Sequence, residues 1–160
     1  MLRQGSVADL KSGRVSRADG HIVLAMRQHP RGVSKELRDE YVKELAPAAE
    51  LLKLFLAEKR RHPGDHNYAF HAVGYERRFD LAPEALEKLK FLAERGQTQD
   101  VVFVCQCGDG ERCHRELLLL LAHKLYGART ETLRFEYLVF AARIRRDGLK
   151  PAATAQHNSA

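Results

Sequence analysis

The run Asp100-Val101-Val102-Phe103-Val104-Cys105 leads through Gln106-Cys107-Gly108-Asp109-Gly110 into Glu111 to Tyr126, a segment with five consecutive leucines from Leu117 to Leu121. A β-branched and aromatic run of this kind reads as a buried strand, and a segment with so little polar face reads as a buried helix. Strand, tight glycine turn and helix in that order form the βα unit of a parallel α/β sheet. A second core strand is expected at Gly20-His21-Ile22-Val23-Leu24-Ala25-Met26, whose nearly continuous apolar character suits a strand covered on both faces. It ends at Arg27-Gln28-His29-Pro30-Arg31-Gly32, where proline and glycine break the ladder.

Around these two strands the rest of the chain reads as helix and loop. Leu2 to Leu10 is a weakly apolar strand candidate, and Lys11 to Gly20 is a loop. Ser34 is placed to cap a polar helix running to about Leu45. Pro47 and Pro83 each follow a Leu-Ala pair and are read as the first residue of a helix, where proline lacks only a donor the helix would not use. Ala49, Phe55 and Glu58 have counterparts in Ala85, Phe91 and Glu94, which similar capping and packing explain without a solenoid. His66 to Phe79 is expected to hold one further helix, and Gly96 to close the helix begun at Pro83. Residues 129–146 stay open between strand and helix. The expectation is a single α/β domain over 1–149, with a mainly parallel sheet and helices on both faces, and a flexible tail over 150–160.

The chain has 160 residues, 44% of them apolar, which excludes a long disordered polymer. Its 27 Lys and Arg against 21 Asp and Glu give a formal charge of +6. That balance favours anionic ligands or a nucleic-acid backbone, while the interleaved acids argue against a dedicated polycation. The longest apolar run, Leu117 to Ala122, is far short of the roughly 18 residues of a membrane span. The amino terminus lacks the pattern of a secretory signal, so a reducing cytoplasm is expected. Three cysteines crowded together do not make a disulfide scaffold.

Ligands of open α/β sheets bind at the carboxyl ends of the strands, and Cys105 to Arg115 occupies that place. Cys113 and His114 open a helix, where free amides and the macrodipole favour a thiolate or a bound anion. Arg112 and Arg115 add charge, and a thiol so surrounded has a lowered pKa. Arg27, His29 and Arg31 end the earlier strand and in a parallel sheet would reach the same edge.

Taken together, Met26-Arg27-Gln28-His29-Pro30-Arg31-Gly32, Leu45-Ala46-Pro47, Tyr75-Glu76-Arg77-Arg78-Phe79 and Val104-Cys105-Gln106-Cys107 with Cys113-His114-Arg115 resemble the YeaO-like family, domain of unknown function four-eight-eight. The resemblance runs from about His21 to Arg143. It implies a single α/β domain in a cysteine-bearing branch of the family, and it implies no particular activity.

Three readings of the cluster follow. The first is a small enzyme or ligand-binding protein for a phosphate- or nucleotide-like anion, with Cys113 or Cys107 as thiolate beside His114. Arg27, Arg31, Arg112 and Arg115 would be its anion contacts, with the Cys113 and His114 amides helping. The position at which a phosphatase-type loop carries its arginine is Cys113 counted from Cys107 and Glu111 counted from Cys105, so that loop is not supported. The second is a zinc or iron site of Cys105, Cys107, Cys113 and His114, with His29, His66 or His71 as possible helpers. Against it, consecutive helical residues diverge by about 100°, so Cys113 and His114 are expected to point apart. The third is plain packing, with Cys105 and Cys113 as small hydrophobes. Lys59-Arg60-Arg61-His62 and the arginines between 143 and 146 leave nucleic acid as an alternative partner, although such runs are more often solvated helix ends. Arg77 and Arg78 beside Tyr75 carry the same two readings, and His123 reads as a satisfied, partly buried histidine. The residues assign no cofactor and no oligomeric state.

Overall fold

The computed structural model describes residues 1–146, the Arg146 side chain excepted. The expected tail over 150–160, and the end of the expected domain, lie outside the described residues. Four parallel strands form one sheet in the order β1-β4-β2-β3: β1 (Leu2–Ser6), β2 (His21–Leu24), β3 (Glu40–Tyr41) and β4 (Val101–Cys105). The sequence-derived class, a single α/β domain with a mainly parallel sheet, matches this architecture.

Alternation along β4 divides the core. Val101 and Phe103 face the larger apolar cluster, covered by α2 (Ala49–Arg61), α5 (Pro83–Arg95), α6 (His114–Tyr126) and α7 (Leu138–Arg146). Val102 and Val104 face a smaller cluster with Val7 and Leu10 of α1 (Val7–Ser12). Both faces are covered, the second by one short helix and loops. Period-two alternation also sends Cys105 to the α6 side.

Several local expectations are corrected. The strand read over Leu2 to Leu10 stops at Ser6, because Ser6 and Asp9 form a reciprocal capping box that starts α1: Asp9 N donates to Ser6 Oγ at 3.0 Å and Ser6 N to Asp9 Oδ2 at 3.1 Å. No helix spans Ser34 to Leu45. Two single 3-10 turns flank β3 there, and Ser34 makes no side-chain cap bond. Pairing with the edge of β2 takes the backbone groups that a helix would need, with Asp39 N donating to Ile22 O and Val42 N to Leu24 O, both at 2.9 Å.

Pro83 is the first residue of α5, as expected, whereas Pro47 lies ahead of α2. The single helix read over His66 to Phe79 is two, α3 (His66–Ala72) and α4 (Tyr75–Arg78), because Gly74 adopts a left-handed conformation at φ 63°. Gly96 ends α5 at the expected position but in right-handed conformation. Residues 129–137 are mostly irregular and cover the outer edge of β1, with Leu2 N donating to Arg129 O at 2.7 Å and Glu131 N to Leu2 O at 2.9 Å. The helix α7 follows.

Candidate functional site

Because β1, β2 and β4 run parallel and in register, Ser6, Leu24 and Cys105 end at one edge of the sheet. Loop 106–113 carries the chain from that edge into α6. Its shape is held from α3: Asn67 Nδ2 donates to Gly110 O at 3.0 Å, Arg112 N donates to Asn67 Oδ1 at 2.8 Å, and His66 Nε2 donates to Arg112 O at 2.7 Å. His66 Nδ1 also stands 2.7 Å from Glu111 Oε2, and Glu111 Oε1 accepts from Gly108 N at 2.7 Å. Among the described histidines, His66 thus buttresses the loop backbone. His29 bonds Pro30 O and Arg38, His71 is exposed on α3, and His123 Nδ1 lies 3.0 Å from Ala128 O.

The loop brings three sulfurs together. Cys105 Sγ and Cys113 Sγ are 2.9 Å apart, and Cys107 N donates to Cys105 Sγ at 3.4 Å. His114 Nδ1 is 3.6 Å from Cys113 Sγ. The expected divergence of Cys113 and His114 is overturned: Cys113 is the residue before the first turn of α6, with extended backbone at φ −150° and ψ 150°, so the helical 100° step does not separate the two side chains. His114 Nε2 lies 2.6 Å from Ala25 O. A carbonyl only accepts, so Nε2 carries hydrogen there, and Nδ1 is the ring nitrogen that faces the Cys113 sulfur.

Charge follows from this packing. Burial by itself raises the Cys113 thiol, but hydrogen bonds from Cys105 and Cys107 and the His114 charge outweigh it and hold Cys113 well below the ordinary thiol range. Burial pushes Cys105 up, and Cys107 is pushed up by its hydrogen bonds to Cys105 and Cys113. The three thiols therefore titrate as one coupled group in which Cys113 ionises first. Beneath it lies Arg115, only 2% exposed, whose Nη1 donates to Gly5 O. Its burial opposes its charge, and the three cysteines more than restore it.

A cleft of about 310 Å³ opens over the cluster. Cys105, Cys107 and His114 lie along it, Arg27 and Lys59 supply cations, and Phe55, Leu52 and Met26 form apolar walls. Cys107 is half-buried, whereas Cys105 and Cys113 are each 2% exposed. Arg27 Nε donates to Pro47 O at 2.9 Å, and Lys59 Nζ stands 5.7 Å over the Phe55 ring.

The other arginines named from the sequence lie elsewhere. Arg31 is exposed and does not line the cleft. Arg112 donates to Glu136 O at 2.8 Å and stacks 4.8 Å over Phe135. Arg115 faces the sulfurs from below. The Cys113 amide donates to Tyr137 Oη at 3.3 Å, so it is already engaged. Of the basic runs, Arg60, Arg61 and Arg145 are exposed, while Arg143 is 9% exposed and donates to Glu76 O, Phe79 O and Asp80. Arg77 and Arg78 are exposed.

Sequence reasoning missed Lys59 as a cleft residue and the Asn67 brace. Lys59 sits in a basic run whose helical face no spacing rule assigns to a site. No described helix is long and apolar enough to cross a membrane.

The family model DUF488-N3a, described as the active DUF488-N3 subclade, matches residues 6–124, a span that contains all three cysteines, His114 and both cleft cations. No curated protein and no solved structure gives a match.

Proposed function

The chain belongs to the DUF488 family, and on that premise we propose that it binds a small anionic molecule in the cleft and presents a thiolate to it. The supporting observation is the coincidence of a three-sulfur cluster with two cations, Arg27 and Lys59, around one cavity of about 310 Å³. Cys113 stores the charge and His114 takes up or returns its proton. Cys107, the most open of the three sulfurs, meets the ligand, and one proton passed from Cys107 to Cys113 moves the nucleophile into the cleft. Arg27 and Lys59 pair with a phosphate-like group, while Phe55, Leu52 and Met26 receive an apolar or aromatic body, in keeping with a nucleotide-like ligand. Arg115 acts on the thiolate from within the core.

Alkylation of Cys107 by iodoacetamide, followed by peptide mapping, tests this reading. Inorganic phosphate, pyrophosphate or a nucleoside monophosphate at millimolar concentration should slow the wild-type reaction severalfold. Lys59→Gln should lose most of that protection while melting at the wild-type temperature. Absence of protection by all three probes would sink the anion reading.

A metal reading is favoured by one observation: donor atoms of Cys105, Cys113 and His114 lie within 4.8 Å of one another. Metal binding would need the sulfurs to move. A tetrahedral zinc with Zn–S bonds of about 2.3 Å holds two thiolates about 3.8 Å apart, so these two sulfurs would have to open from 2.9 Å to admit it. The Arg115 guanidinium against the sulfurs would also repel a dication. Elemental analysis of untagged protein should find zinc and iron far below one per chain, with melting unchanged by chelator. One tightly held ion per chain, lost in Cys113→Ser, would put the metal reading first.

A further inference from the structure

Three sulfurs, one shared charge and an open cleft also describe a site that can be oxidised. We propose that the cluster is a reversible oxidation site for hydroperoxides, in which Cys105 and Cys113 close into a disulfide and Cys107 stays free; this rests on the thiolate reading of the same site. Two geometric facts carry it. Cys105 and Cys113 are separated by 2.9 Å between sulfurs, so a bond of about 2.05 Å needs a closure of about 0.9 Å. Cys105 also lines the cleft whereas Cys113 does not, so of this pair Cys105 is the one offered to a small peroxide in the cleft, with the Cys113 sulfur 2.9 Å from its own.

The chemistry balances. Cys105 passes its proton to the Cys113 thiolate along their shared hydrogen bond, and the resulting Cys105 thiolate attacks the peroxide. The O–O bond breaks, an alkoxide or hydroxide leaves, and Cys105 becomes a sulfenic acid. The Cys113 thiol then attacks the Cys105 sulfur and water leaves, carrying the Cys113 proton. Two sulfurs have lost two electrons and the peroxide has gained them.

Oxidation also removes the thiolate charge that Arg115 faces, leaving a guanidinium that is 2% exposed and donates to the Gly5 carbonyl. Arg115 then keeps only the weaker attraction of the Asp9 carboxylate, which disfavours the oxidised form, so a dithiol reductant reopens the bond readily. The disulfide form has no thiolate to share, and Cys107 reverts to an ordinary, slow thiol.

The test treats the full chain with hydrogen peroxide at neutral pH, blocks free thiols with iodoacetamide, and maps the peptides. The expected result is loss of two of the three alkylatable thiols, a Cys105–Cys113 linked peptide, alkylated Cys107, and full recovery with dithiothreitol. Cys107→Ser should still form the bond. Cys113→Ser, which lacks both the acceptor of the Cys105 proton and the resolving sulfur, should form no disulfide and leave Cys105 reduced. A disulfide that includes Cys107, or sulfinic acid at Cys113 with no disulfide, would overturn the proposal. Alkylation of untreated protein separates the two failures: fast alkylation of Cys107 there, with no disulfide after peroxide, defeats only the oxidation site, while slow alkylation at every cysteine defeats the thiolate reading itself.

Discussion

Arg115→Met is expected to lower folding stability by about 3–5 kcal/mol, read from the midpoint of urea unfolding, because it removes one partner of a buried charge pair and leaves the other in the core. Methionine keeps much of the aliphatic stem, so the loss reports the guanidinium: its bond to Gly5 O, which ties α6 to β1, and its charge against the sulfurs. The double variant with Cys113→Ser should lose less than the sum of the two single losses, since removing the thiolate removes the reason for the cation. A single-variant loss below about 1 kcal/mol, or strict additivity in the cycle, would count against the pairing.

The second large effect is in the pH profile of alkylation. An ordinary thiol with pKa about 8.5 gains about 80-fold in thiolate, and so in rate, between pH 6 and pH 8. The Cys113 thiol is held well below that range, so the cluster ionises at lower pH than an ordinary thiol and its rate should rise far less than about 80-fold over the same interval. The comparison is internal to one protein, so the slow access expected of half-buried sulfur cancels. Cys113→Ser should restore a steep profile at Cys107. A steep profile in the unaltered protein would remove the thiolate from the site.

Much of this site is legible in the residues because its parts are close in the chain. The apolar run to Cys105, the glycine turn and the leucine-rich helix place three cysteines at a strand end and helix start without any tertiary information. Pro83 and Gly96 likewise bound α5 by local chemistry. The capping box of Ser6 and Asp9 was also there to be read, and a search for Ser followed three residues later by an acid finds α1.

Other features were legible only in part. Ser34 to Leu45 carries helix-compatible residues, but the open edge of β2 competes for the same backbone groups, and a partner far away in sequence decides the outcome. Gly74 signals a break, yet nothing local tells a tolerated helical glycine from one at φ 63°.

The sequence by itself determined the parallel α/β class, the two central strands, and the cysteine cluster at a strand end, because strand and helix periodicity and residue type are local properties. The tertiary structure alone decided which groups face one another. It turned Arg112 toward Glu136 and sent Arg115 under the sulfurs. It also brought Lys59 of α2 and Arg27 to one cleft, and joined Cys113 to His114 through an extended residue ahead of the helix. The physical reason is that a side chain's charge and reactivity depend on burial and on neighbours within a few ångströms, and those neighbours come from α2, α6 and the end of β2, distant in the chain and adjacent only when the sheet closes its core.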